Sequence, residues 1–235
     1  MVFIWILFVS TAILFARYCK QCWPDRRICS KPIWFAAHRA IMLFAAGLTV
    51  IGFVLILIYK SGTWVSRNRT REFVHSILGI IVISASVIQP FMALFRCKPN
   101  DKNRFIFNYA HASVGLIAFI LSIVTIFLIM FSTQISFQFE NAWNFLVAWI
   151  CWIVVIFAVF ECVDRCLHDK QKSEEKNETH WMDIHTAENE VNKVDDSSTN
   201  ELFIKDRVKT VLLVVHFLVA LGLSLALAIV IGQSS

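Results

Sequence analysis

Six apolar runs, at about residues 2–18, 33–59, 73–95, 106–131, 142–163 and 208–231, leave this chain few folds. Most exceed the ~20 residues that carry an α-helix across ~30 Å of hydrocarbon. Lipid offers the backbone no hydrogen-bond partners, so segments of this length are helices; barrel strands are shorter and alternate strictly. Of 235 residues, 57% are hydrophobic and only 17% charged, too apolar a balance for an ordinary soluble domain. The expected fold is all-α: a polytopic membrane helix bundle of six transmembrane helices, with the lipid bilayer as its main partner and no nucleic acid.

The first run, MVFIWILFVSTAILFA, also has the length of a secretory signal. No positive charge precedes its apolar core, and it ends in Arg17, Tyr18 and Lys20, as the cytoplasmic end of a span does, so it is read as the first helix.

Lys and Arg are retained on the cytoplasmic side, which orients the bundle. Arg17, Lys20, Arg26, Arg27 and Lys31 follow the first span, and Arg96, Lys98, Lys102 and Arg104 follow the third. Lys60, Arg67, Arg69 and Arg71 follow the second, and the loop after the fourth has no basic residue. The excess places both chain ends outside. Residues 166–207 then form a cytoplasmic loop of mixed charge with few large apolar side chains, expected to be disordered, and 208–231 an additional C-terminal helix. Asn68-Arg69-Thr70 falls outside, where glycosylation is open to it, whereas Asn177-Glu178-Thr179 falls inside and should stay unmodified.

Cys19-x-x-Cys22 followed by Cys29 begins a zinc-ligand spacing but lacks a second pair. Reduced thiols, free or lipidated, are the preferred reading. Cys97, Cys162 and Cys166 lie at the cytoplasmic edge and Cys151 within a span, none with a catalytic role.

His38, His75 and His111 each lie near the start of a successive apolar run. Because consecutive spans run in opposite directions, His38 and His111 belong to one side of the bilayer and His75 to the other. An ionisable side chain in a span is costly to desolvate and usually faces the bundle interior to serve a function. Neutral imidazole is a common iron ligand, and haem in an electron carrier is held by one axial side chain on each face. The plainer alternative is a core histidine bonded to a neighbouring helix. It suits His216, which stands alone in the last run; His168, His180 and His185 lie in the polar loop and are read as solvated. Gly47, Gly52, Gly79, Ser84, Ala85, Ser86, Ser113 and Gly115 permit close helix approach, around a flat cofactor or by plain packing. Gln89-Pro90 is expected to kink the third helix.

The stretches FVSTAILFARY (8–18), WFAAHRAIM (34–42), HSILG (75–79), QP (89–90) and FNYAHASVG (107–115) resemble the cytochrome b561 domain. They are most similar to the form found in ferric-chelate reductases, also called stromal cell-derived receptor, where an extracellular DOMON domain precedes the membrane part. The resemblance covers residues 1–165, in order and with the expected spacing. It implies a four-helix core holding two b-type haems through four histidines, one haem near each membrane face. Electrons would pass from a cytoplasmic donor, typically ascorbate, to an outside acceptor such as ferric chelates or monodehydroascorbate.

Carried over by position, His38 and His111 match the ligands of the cytoplasmic-side haem, and His75 matches one ligand of the outer haem. The remaining family ligand lies in a His-Gly-x-x-Met motif. Met1 falls on the methionine of that motif, so the sequence is expected to be a truncated or alternative-start form with a full ligand pair for one haem. Asn108, in the F-N-x-x-H match, is placed near the haem edge by the same resemblance. An anionic donor needs positive charge at the cytoplasmic mouth. Arg39 and Arg104 are the first candidates, then Lys98 and Lys102, with topogenic charge or lipid phosphate contact as the alternative use. A homodimer is compatible with the family, as is residence in the plasma membrane or an endomembrane vesicle. A second class stays open: a haem-poor membrane scaffold or regulatory form, which absorbance at the haem Soret band would distinguish.

Overall fold

The computed structural model describes residues 1–23, 26–96, 101–130, 142–182 and 191–232, with side chains for all of these except 142, 167–182, 191–206 and 231–232. Helix α1 is Ile4–Tyr18. It winds as a π-helix over Ile4–Val9 and as an α-helix over Ser10–Tyr18, and at the junction the Ser10 hydroxyl donates to the carbonyl of Ile6. The others are α2 (Ile33–Tyr59), α3 (Thr70–Leu94), α4 (Arg104–Met130), α5 (Ala142–Met182) and α6 (Val191–Gly232).

Among the described residues five helices are long and apolar enough to cross a membrane: α2, α3, α4, the Trp143–Cys166 part of α5 and the Arg207–Val230 part of α6. This corrects the expected count of six. Ile4–Tyr18 rises only about 22 Å at ~1.5 Å per residue, short of the ~30 Å hydrocarbon core.

The described backbone is helical over 166–182 and 191–207, continuing α5 and α6.

Contacts divide the chain into two units, one of Met1–Ser10, Arg39–Trp149 and Ala220–Ser235, the other of Thr11–His38 and Ile150–Val219. In the first, α3 and α4 pack as an antiparallel hairpin. The start of α3 meets the end of α4 where His75 bonds Thr125, and the end of α3 meets the start of α4 where Gln89 bonds His111. Gly79 and Gly115 lie in this contact: a Cβ on Gly79 would meet Thr125 Cγ2 at 4.0 Å and one on Gly115 would meet Gln89 Nε2 at 3.4 Å, both ordinary contact distances. Pro90 sits inside α3, which runs unbroken from Thr70 to Leu94. Helix α2 ends in a Schellman arrangement, with Gly62 N–H donating to Leu57 and Ser61 N–H to Ile58, and with Ser61 in the left-handed region at φ 49°. Apolar side chains such as Leu55, Ile58 and Phe91 are exposed, as lipid-facing positions should be.

In the second unit a two-residue turn, Cys29 (φ 50°) and Ser30 (φ 62°), joins the short strands β1 (Arg27–Ile28) and β2 (Lys31–Pro32) into a hairpin between α1 and α2. Glu161 on α5 accepts from Arg17 (3.1 Å) and Tyr18 (3.2 Å) on α1, and Lys209 on α6 pairs with Asp164 on α5. These contacts bring the end of α1, the end of the α5 span and the start of the α6 span to one level, as alternating helix directions require.

Candidate functional site

His38 lies in the second turn of α2, half-buried, with Nδ1 2.9 Å from the carbonyl oxygen of Ala12 on α1. A carbonyl only accepts, so Nδ1 carries the proton and Nε2 presents a lone pair. His75 lies in the second turn of α3 and repeats the device: Nδ1 is 2.7 Å from the carbonyl oxygen of Thr125 on α4. This is how metal-ligating imidazoles are held, one nitrogen fixed to an acceptor so that the other is oriented and more basic.

His111 lies in the third turn of α4, half-buried, its ring parallel to that of Phe107 (5.9 Å, 11°). Its main-chain carbonyl accepts from Nε2 of Gln89 at 3.0 Å, and Gln89 is 8% exposed. Gln89 Oε1 is buried and has no partner among the described residues. His75 and His111 therefore occupy opposite ends of the α3–α4 hairpin. The fourteen residues from 75 to 89 separate them by about 21 Å along the axis at ~1.5 Å per residue, too far to share one iron.

His216 is fully buried and of the opposite kind. Trp152 Nε1 lies 3.2 Å from its Nδ1. An indole nitrogen only donates, so Nδ1 accepts and the proton sits on Nε2. That tautomer belongs to a structural histidine bonded to the next helix.

The remaining sequence-derived positions differ in exposure. Arg39, Lys102 and Asn108 are exposed, Arg104 is half-buried at the start of α4, and Lys98 lies outside the described residues. Asn68 is exposed in the turn before α3. Arg96 is an addition. It is half-buried near the end of α3, and burial, followed by the nearby Arg104 cation, pushes its guanidinium below the ordinary arginine range. Sequence reading counted it only as a topogenic charge; its membership of the same basic loop as Arg104 was the available signal. Two guanidiniums held together at the His111 end of the hairpin make a local anion-attracting field. Cys19 and Cys22 are buried and Cys29 is exposed, and among the described residues no group of three or more His, Cys, Asp or Glu converges.

A set of apolar membrane-length helices, with imidazoles bonded through Nδ1 to main-chain carbonyls two turns into successive spans, is an integral multi-pass membrane protein whose histidines have the chemistry that a b-type haem takes as ligands. Its membership is specific: the chain belongs to the eukaryotic cytochrome b561 family, which matches residues 1–138. A Drosophila melanogaster protein named "Putative ferric-chelate reductase 1 homolog" is 42% identical over 159 residues, 68% of this chain and 22% of that protein. Human "Ferric-chelate reductase 1" is 37% identical over 124 residues, 53% of this chain and 20% of that protein. A "Cytochrome b561 and DOMON domain-containing protein" of Arabidopsis thaliana is 31% identical over 123 residues, 52% of this chain and 28% of that protein. The chain thus spans less than a third of the length of these curated relatives. No solved structure matches.

The residue chemistry fits haem b: imidazole is the axial ligand of b-type electron carriers, and with Nδ1 of His38 and of His75 bonded to a carbonyl, Nε2 is the nitrogen that would hold the iron.

Proposed function

We propose that the chain is the membrane-embedded electron conduit of a ferric-chelate-reductase-type protein, carrying single electrons from a cytoplasmic donor to an acceptor outside. In this reading His38 and His111 bind one haem towards the cytoplasmic face, and His75 supplies a ligand to a second haem towards the outer face. Haem supplies reversible one-electron chemistry at a bis-imidazole iron that needs no acid, base or nucleophile.

The chain's own residues do the rest. The carbonyls of Ala12 and Thr125 hold the rings of His38 and His75 in one tautomer and one orientation. Gln89 pins the main chain of His111 from α3. Arg96 and Arg104, helped by Arg39, Lys98 and Lys102, favour an anionic donor such as ascorbate by raising its local concentration. Asn108, three residues before His111, supplies a carboxamide to the haem edge. The acceptor class follows the relatives' names, ferric chelates; monodehydroascorbate is the alternative that the family resemblance implies.

The observation that carries the reading is the repeated Nδ1-to-carbonyl contact of His38 and His75 on successive helices. Its test is a reduced-minus-oxidised spectrum of protein purified from haem-replete cells. A sharp α-band that answers to ascorbate supports the proposal; a colourless, well-folded preparation defeats it in favour of a scaffold.

A further inference from the structure

The family match ends at residue 138, so α5 and α6 lie beyond it, yet α5 is bonded to α1. We propose that α5 and α6 form a clasp on α1 and that Glu161 is a positioning residue for His38. This rests on the reading of His38 as a haem ligand, though the structural link holds independently of haem.

Helix α1 has a task that needs its height and rotation fixed, because its Ala12 carbonyl orients the His38 ring.

The tether is the Glu161 carboxylate. It accepts from Arg17 Nη2 at 3.1 Å and from the Tyr18 hydroxyl at 3.2 Å, while Arg165, one turn along α5, holds it from its own helix at 3.2 Å. Arg17 and Tyr18 are adjacent, about 100° apart around α1, so one carboxylate gripping both restricts rotation as well as height. The Tyr18 ring is buried, stacked on Phe160 (4.8 Å, 17°) and edge-on to Phe157 (6.1 Å, 66°) of α5. Ala12, buried in the same helix, lies six residues from Tyr18, about 9 Å along a rigid rod.

Helix α5 is in turn tied to α6 at two depths, by Lys209 to Asp164 and by Trp152 to His216. The Arg17–Glu161 pair is partly exposed and contributes little stability by itself. Its effect is geometric, with Tyr18 as the buried anchor.

The test uses the full chain, labelled with 15N-histidine, in nanodiscs with and without haem. Glu161→Ala is expected to shift the His38 Nδ1 resonance and the low-spin electron paramagnetic resonance signal of the haem that His38 ligates, leaving the His75 resonance in place. Glu161→Gln, which keeps the Tyr18 contact, should give a smaller shift. Arg17→Glu combined with Glu161→Arg should restore the original His38 signal. A folded Glu161→Ala protein whose His38 signals are unchanged overturns the proposal, as does an equal disturbance of His38 and His75. If the Ala variant does not fold, the Gln variant and the charge swap decide by the same criteria. A wild-type chain that binds no haem, but whose His38 resonance still answers to Glu161, refutes the haem reading while upholding the clasp.

Discussion

Nδ1 of His75 lies 2.7 Å from the main-chain carbonyl oxygen of Thr125, near the far end of the neighbouring helix. Because the acceptor is backbone, no side-chain substitution at position 125 removes it, and the ring is set by the packing of α3 on α4. His38 has the same relation to Ala12. His216, whose Nδ1 accepts from Trp152, has the reverse. One atom-level distinction separates the histidines that we propose as iron ligands from the one that holds two helices together.

That distinction makes His216 dispensable for haem. His216→Phe and Trp152→Phe should each cost about 1–3 kcal/mol, because each strands a buried polar nitrogen in the other partner. Haem content should be unchanged in both. The double variant, with neither nitrogen stranded, should recover part of the loss. Thermal melts followed at the Soret band check both points.

Gln89→Leu removes the bond to the His111 carbonyl and should destabilise the α3–α4 hairpin by about 1 kcal/mol. Gly115→Ala places its methyl at ordinary contact distance, 3.4 Å from Gln89 Nε2, so it should leave that bond in place and change stability by less than about 1 kcal/mol, which denaturation midpoints of the two variants compare.

Arg96→Ala and Arg104→Ala should each raise KM for an anionic donor about 3- to 10-fold at low salt with little change in kcat, since they remove part of an attracting field and not a reacting group. Added salt should shrink the difference, because exposed fields are screened over ~10 Å at 0.1 M. Steady-state ascorbate oxidation across a salt series reads this directly. A neutral donor should be insensitive to both substitutions.

The cysteines report orientation. Cys29, Cys162 and Cys166 are exposed, and in the proposed orientation, with the basic loops after α1 and α3 inside, they face the cytoplasm. A membrane-impermeant maleimide should label them only after sealed, right-side-out vesicles are permeabilised. Cys151 is exposed on the apolar α5 span, where lipid replaces water, and should stay unlabelled in both cases. Labelling of Cys29 in intact vesicles reverses the map.

Hydropathy alone placed the haem-core helices. The run 33–59 coincides with Ile33–Tyr59, and 73–95 and 106–131 fall within three residues of Thr70–Leu94 and Arg104–Met130. Lipid leaves the backbone no alternative, so apolar length translates directly into helix. The first run was misjudged because its apolar letters extend to its first residues while the regular apolar helix covers only Ile4–Tyr18.

The candidate histidines were legible because a titratable residue stands out against hydrocarbon. Their acceptors were not, since a backbone carbonyl leaves no mark in a sequence. Nor were the partners of Arg17 and Tyr18. Glu161 is 144 and 143 residues away from them, and no periodicity connects positions so far apart. Arg96 was visible as a charge, but its half-burial beside Arg104 depends on how α3 ends and α4 begins.

The central claim is that His38 and His111 hold one haem and His75 serves another, and haem quantitation with optical spectra of the three alanine variants tests it most directly. His38→Ala and His111→Ala should each abolish the same low-spin component, and the double variant should lose no more than either single. His75→Ala should leave that component in place. Loss of most low-spin signal in His75→Ala with none in His38→Ala would contradict the account.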